Sequence, residues 1–298
     1  MKKFASLSLS ALCILALSCG SNQNANNNTD TTSTKATVDS ASSSGSTAGF
    51  KIGIQMWTFR MFSFADALNK ADSAGVKNIE AYFGQQLRGG MKGDFGTEMS
   101  ADTRSKLKQL LQLKGMQIVA MGVISPKDSI EWRKAFDLAK EFGLIYITAE
   151  PNKKQWDMVD KMAGEYGIKV AIHDHPKPNA YSSPDSVLEA VRGHPNIGAC
   201  ADVGHWARNG LNPAECLKKL EGHVYGAHLK DIVKFDDTEA ADTVVGKGVI
   251  DLPAVFAELK RQNFNGMMSI EHESNSYHNL PDVIETVRYY NDQVAKLQ

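Results

Sequence analysis

Four times the chain repeats one local pattern: a helical stretch, a glycine, then a short apolar run. Ala74-Gly75-Val76-Lys77-Asn78-Ile79-Glu80 is the first case and Lys114-Gly115-Met116-Gln117-Ile118-Val119-Ala120 the second. Phe142-Gly143-Leu144-Ile145-Tyr146-Ile147 and Tyr166-Gly167-Ile168-Lys169-Val170-Ala171-Ile172 repeat it. Glycine after a helix takes the left-handed conformation at little cost, and a continuous apolar run suits a strand buried on both faces. Ile52–Gln55, Ile197–Ala201, Val224–Ala227 and Met267–Ile270 bring the expected strands to eight.

Amphipathic stripes fill the intervals. Phe64, Ala67, Leu68 and Ala71 share one face, as do Trp132, Phe136 and Ala139, and later Leu252, Val255, Phe256 and Leu259. Spacings of three and four mark helices. Strict strand–helix alternation implies a parallel sheet with right-handed crossovers. Eight such units in about 250 residues fit a closed barrel better than an open sheet, and no G-x-G-x-x-G follows the first strand. The expected fold is therefore α/β, a single (β/α)8 TIM barrel over residues 50–298.

The first fifty residues do not belong to that body. Met1–Cys19 has Lys2 and Lys3, an apolar run, and then Ala16-Leu17-Ser18-Cys19. This describes a secretory signal peptide, and the run is shorter than the roughly 20 residues that span a bilayer. Its end resembles the lipobox of bacterial lipoproteins, with Ala16 where leucine is usual and Cys19 as the lipidated residue. A plain cleaved signal is the alternative. Ser21–Ala48 is mostly Asn, Thr, Ser and Ala, too poor in apolar surface to fold, so residues 20–49 read as a disordered polar linker. The expectation is an exported protein, lipid-anchored to a bacterial membrane and facing the periplasm or the cell exterior. Cys200 and Cys216, in an expected strand and an expected helix, read as free thiols. With 33 basic and 34 acidic residues the net charge is −1, which argues against nucleic acid as a partner.

In an α/β barrel, chemistry gathers where the strands' C-terminal ends enter the loops. Strand two ends in Glu80 and strand four in Glu150; strand five supplies His173 and His175; strand six supplies Asp202 and His205. Strand seven gives His228, Lys230 and Asp231, and strand eight Glu271, His272 and Glu273. Singly, such a carboxylate reads as a helix cap and such a histidine as a core residue. Converging on one rim, several carboxylates repel unless neutralised. A divalent cation does this, and mixed oxygen and nitrogen donors suit Mn²⁺, Mg²⁺, Co²⁺ or Zn²⁺.

Three stretches carry a family resemblance: Ile52-Gly53-Ile54-Gln55-Met56-Trp57-Thr58-Phe59-Arg60, then Ala201-Asp202-Val203-Gly204-His205-Trp206 with Gly226-Ala227-His228-Leu229-Lys230-Asp231, and Ser269-Ile270-Glu271-His272-Glu273. Over Phe50–Gln298 the chain resembles the sugar phosphate isomerase/epimerase superfamily, the xylose isomerase-like or AP-endonuclease-family-2 TIM barrels. The resemblance implies one divalent metal ion held by Glu150, Asp202, His228 and Glu271. It places His205 against substrate and Trp57 as an aromatic wall of the sugar pocket. Glu80, His173, His175 and Lys230 share that rim as expected substrate contacts, with His175 also open to a ligand role. Relatives with a histidine on strand three have no counterpart in Ala120-Met121-Gly122-Val123.

The chemistry expected of such a site is removal of a proton alpha to a sugar carbonyl, through a metal-stabilised enediolate. Glu150 and Glu271, on strands opposite in the barrel, would take and return the proton, giving epimerisation or isomerisation. Expulsion of a leaving group from the same intermediate is the alternative, a lyase or hydratase acting on a 3-keto-glycoside. A sugar-binding lipoprotein without catalysis is the other alternative, and an abasic-site endonuclease is disfavoured by charge. Beyond the short Gly246-Lys247-Gly248, which reads as an entry to a helix, no glycine-rich phosphate loop lies near strands seven and eight, and with the expected export this points to a non-phosphorylated sugar.

Overall fold

The computed structural model describes residues 49–297. The expected signal peptide, its Cys19 and the linker up to residue 48 lie outside the described residues. Eight parallel strands close a barrel: β1 (Lys51–Gln55), β2 (Asn78–Ala81), β3 (Gln117–Ile124), β4 (Tyr146–Ala149), β5 (Lys169–His173), β6 (Ile197–Asp202), β7 (Val224–Leu229) and β8 (Met267–Ile270). Around the barrel they run β1-β8-β7-β6-β5-β4-β3-β2, and β2 pairs again with β1. All eight expected runs are strands.

The helices cover the outside: α1 (Phe64–Ser73), α2 (Ala101–Lys114), α3 (Ser129–Phe142), α4 (Trp156–Tyr166), α5 (Pro184–Val191), α6 (Val203–Arg208), α7 (Pro213–Lys219), α8 (Leu252–Arg261) and α9 (Leu280–Lys296). Ser63, Ser100 and Asp128 cap the first three by accepting backbone N–H bonds, satisfying donors that a helix start leaves open. Gly115, Gly143 and Gly167 end α2, α3 and α4 with φ of 59°, 71° and 68°, the left-handed stop that the repeating pattern implied.

Besides two short 3-10 turns, Met56–Phe59 and Lys153–Gln155, three insertions depart from simple alternation. The six-residue α6 starts immediately after β6, ahead of α7. Antiparallel hairpins occupy two loops, Gln86–Arg88 with Met91–Asp94 after β2 and Asp231–Ile232 with Asp242–Thr243 after β7. All three sit at the strands' C-terminal side and help build the mouth of the barrel. Among the described residues no helix is long and apolar enough to cross a membrane. Cys200 and Cys216 are buried free thiols.

One apolar core lies between strands and helices, and a smaller one fills the barrel itself with Val119, Ala120, Tyr146, Ala171, Cys200 and Met267. Space for the large members comes from glycine. A Cβ at Gly226 would lie 2.5 Å from the Tyr146 hydroxyl. Gly226→Ala should therefore cost about 1–3 kcal/mol as an overpacked core does, read as a fall in Tm. Adding Tyr146→Phe should recover part of it. An unchanged Tm in Gly226→Ala would show that the barrel spreads freely there.

Candidate metal and catalytic centre

Above the apolar plug, four side chains from consecutive strands meet. His173 and Asp202 end β5 and β6, His228 lies on β7 opposite Asp202, and Glu271 follows β8. His228 Nδ1 is 2.9 Å from His173 Nε2 and 2.9 Å from Glu271 Oε2. Asp202 Oδ2 is 3.7 Å from the same His228 nitrogen and 3.7 Å from His173 Nε2. One donor atom from each of the four lies within 4.8 Å of the others, and all four residues are buried.

Asp202 shows both readings of a strand-end carboxylate at once. Its Oδ1 caps α6 by accepting from His205 N–H at 2.9 Å. Its Oδ2 is buried and accepts no hydrogen bond, although Lys230 Nζ lies 3.2 Å away as an ion pair. A buried acceptor left unmade costs free energy. Its position facing two imidazoles and a carboxylate is what a divalent cation with mixed N and O ligands requires, so the residues fit such an ion.

The remaining expected site residues surround this cluster. Glu150 is hydrogen-bonded to His175 Nδ1 and takes both Asn179 Nδ2 bonds at 3.1 Å. It forms a second group of donor atoms with His175 and His173. Asp202, His228 and Glu271 are thus brought together as the resemblance implies, while the fourth place is taken by His173, and Glu150 stands one residue further out. Glu80, expected at the substrate rim, lies fully buried one layer below. It accepts from Thr148 Oγ1 at 2.5 Å and Ser269 Oγ at 2.6 Å and contacts His228 Nε2 at 3.1 Å. Lys230 is also fully buried, behind the cluster, with Nζ 3.2 Å from Asp202, 3.3 Å from Glu271 and 2.9 Å from Glu273.

The electrostatics follow from this packing. Burial opposes ionisation of Asp202, yet His205 and Lys230 more than offset it, so its carboxyl sits well below the usual range. Burial also holds His205 far toward its neutral form, so the fixed positive charge in that pairing belongs to Lys230. Glu271 is likewise held low against burial, by Lys230 and His228. Burial disfavours the Lys230 ammonium, but Asp202, Glu271, Asp242 and Glu273 together raise it well above the ordinary lysine value.

A cavity of about 650 Å³ opens onto the cluster, lined among others by Trp57, Tyr82, His175, His205, Arg208 and Glu271, a size usual for small-molecule sites. Trp57 is 40% exposed, stands edge-on to Tyr82 at 5.0 Å and donates Nε1–H to Glu273 at 3.0 Å. Glu150 lines a separate depression with Asn152 and Tyr181. Arg208, Asp242 and Asn179 belong to the site without having been singled out from the sequence. Glu273, two after Glu271, joins the site through Trp57 and Lys230, and its spacing from Glu271 is the sequence signal for it.

A profile of the xylose isomerase-like TIM barrel matches residues 68–293 of the chain. An inosose dehydratase of Clostridium botulinum (strain Alaska E43 / Type E3) is 23% identical over 252 residues, spanning 68% of this chain and 84% of its own length. The crystal structure of a putative uncharacterized protein from Parabacteroides distasonis ATCC 8503 is 34% identical with a TM-score of 0.68, covering 82% of this chain and 99% of that one. The crystal structure of an IOLI protein with a zinc atom has a TM-score of 0.67 at 19% identity, over 84% of this chain and 99% of that one, which shows a shared fold.

Proposed function

Because the chain belongs to the xylose isomerase-like TIM-barrel family, we propose that it is a divalent-metal-dependent lyase acting by beta-elimination on a small keto-sugar or keto-glycoside, which expels water from the first and the aglycone alcohol from the second. His173, Asp202, His228 and Glu271 hold the ion, which when bound polarises the substrate carbonyl as a Lewis acid. Glu80 keeps the His228 Nε2 proton engaged at 3.1 Å, and so turns Nδ1 toward the cluster. The zinc in the IOLI structure and the dehydratase activity in the name of the Clostridium relative support this reading.

The observation that carries it is the His175–Glu150 pair beside the four-donor cluster. A carboxylate only accepts, so His175 Nδ1 bears the proton and Nε2 is left as acceptor. His175 lines the cavity, where Nε2 removes the proton from the carbon next to the carbonyl. The C–O bond on the neighbouring carbon then breaks, and the departing oxygen takes the proton that His175 removed, leaving as water from a keto-sugar or as the aglycone alcohol from a keto-glycoside. Trp57 and Tyr82 supply the apolar wall for the sugar ring.

Product analysis in D₂O tests this directly on a panel of ketoses and 3-keto-glycosides. The expected product has lost one water by mass from a ketose or the aglycone alcohol from a 3-keto-glycoside, and chelation of the metal stops its formation. A product of unchanged composition that carries deuterium at the inverted carbon would overturn elimination in favour of epimerisation. That second reading has its own support, since Glu150 follows β4 and Glu271 follows β8, on opposite sides of the closed barrel. Export and lipidation at Cys19 stand as part of the proposal. Cys19→Ala should move the protein from the membrane to the soluble fraction, and unchanged membrane association would sink the anchor.

A further inference from the structure

We propose that Arg208 is a positioning residue that fixes the ring proton of His205 on Nε2, so that His205 meets the substrate as a donor. Its place against substrate rests on the function proposed above; the tautomer does not. Arg208 ends α6, three residues after His205, and its Nη1 lies 2.9 Å from His205 Nδ1. A guanidinium has five donors and no acceptor. His205 Nδ1 must therefore accept, which leaves the proton of the neutral ring on Nε2.

The guanidinium is itself held by three bonds to two acceptors. Nη2 donates to Asp242 Oδ1 at 2.5 Å and to the Ala240 carbonyl at 2.8 Å, and Nε donates to that carbonyl at 3.0 Å. Asp242 Oδ2 is fixed in turn by the Glu273 N–H at 2.7 Å. The hairpin after β7 and the loop after β8 thus set the orientation of one imidazole on α6. His205 Nε2 is 3.6 Å from Asp202 Oδ2, too far for a hydrogen bond, so its proton stays available to the cavity.

The consequence is a pair of neighbouring imidazoles with opposite polarity. The rings of His175 and His205 are 5.0 Å apart. Glu150 holds the His175 proton on Nδ1 and leaves Nε2 as acceptor; Arg208 does the reverse to His205. In the elimination, His175 removes the proton and hands it to the departing oxygen, while the His205 N–H donates a hydrogen bond to that oxygen as the C–O bond breaks. Exchanging the two roles would require breaking both orienting bonds.

The test reads the tautomer and needs no substrate. Full-length protein labelled with ¹⁵N-histidine is examined by long-range ¹H–¹⁵N correlation, with the His205 signals assigned by their loss in His205→Gln. The expected wild-type result is the Nε2–H form in excess by about tenfold or more, as one charge-assisted bond supplies. Arg208→Met should collapse that excess, and Arg208→Lys, which keeps a donor, should restore part of it. A wild-type Nδ1–H form, or an unchanged ratio in folded Arg208→Met, overturns the proposal. The wild-type ratio decides alone if the Met variant does not fold. An epimerised product in the D₂O experiment would defeat elimination and leave this result untouched.

Discussion

Glu271→Gln should abolish turnover and weaken metal binding while leaving the fold intact. The amide preserves shape but removes the negative charge that meets His228 Nδ1 at 2.9 Å and Lys230 Nζ at 3.3 Å. Loss of a carboxylate that faces the cavity and is proposed as a ligand of the ion should lower the rate by more than the ~10–100-fold that removing even an outer partner of a metal ligand costs. Metal content after dialysis should fall with it. Lys230 keeps Asp202 and Glu273 as partners, so Tm should change little. Full activity in Glu271→Gln would exclude this carboxylate from the chemistry.

Much of this was legible in the sequence because the barrel writes itself locally. A glycine that ends a helix and a buried apolar run that follows are both dictated within a few residues; four strands could be read that way and the other four from their apolar runs alone. Their last residues include most of the side chains that come together at the candidate site. What stayed hidden depends on depth and on distant partners. Glu80 and Glu150 both look like strand-end carboxylates, yet the stagger of a closed barrel sinks Glu80 beneath His228 and leaves Glu150 outside the cluster beside His175. His173 and His175 sit two apart in the sequence, and only the packing of β5 against β6 and β7 shows that His173 joins Asp202 and His228.

The elements missed are those without a periodic signature. In α6 all six residues are buried, so there is no apolar stripe to mark a helix. The two hairpins have strands of two to four residues, below the length at which alternation is readable. Arg208 lines the cavity beside His205 because Asp242 and Ala240, which lie 34 and 32 positions away, hold its guanidinium there. The sequence offers no local sign of such a bond.

Lys230→Met should be the most destabilising single change near the site. The lysine is wholly buried and shared by Asp202, Glu271 and Glu273. Room for its stem depends on Gly204, where a Cβ would come within 2.6 Å of Lys230 Cγ. Methionine fills similar space but leaves the three carboxylates without their common cation. Breaking a buried ion pair in this way costs about 3–5 kcal/mol, measurable as a large fall in Tm. In the parent protein the raised Lys230 value makes its contribution complete below the ordinary lysine value of about 10.4 and lost only as pH rises past the folded one. The lowered values of Asp202, Glu271 and Glu273 contribute stability above about pH 4 that acid removes. In the variant burial acts on these carboxyls unopposed by Lys230, so they bind protons more readily when folded, and the Tm gap to the parent should narrow as pH falls from about 8 to about 5. A divalent cation should narrow it too, since an ion that binds the folded state restores positive charge among the same oxygens. An equal Tm for parent and variant at neutral pH would mean that the three carboxylates are neutralised without Lys230.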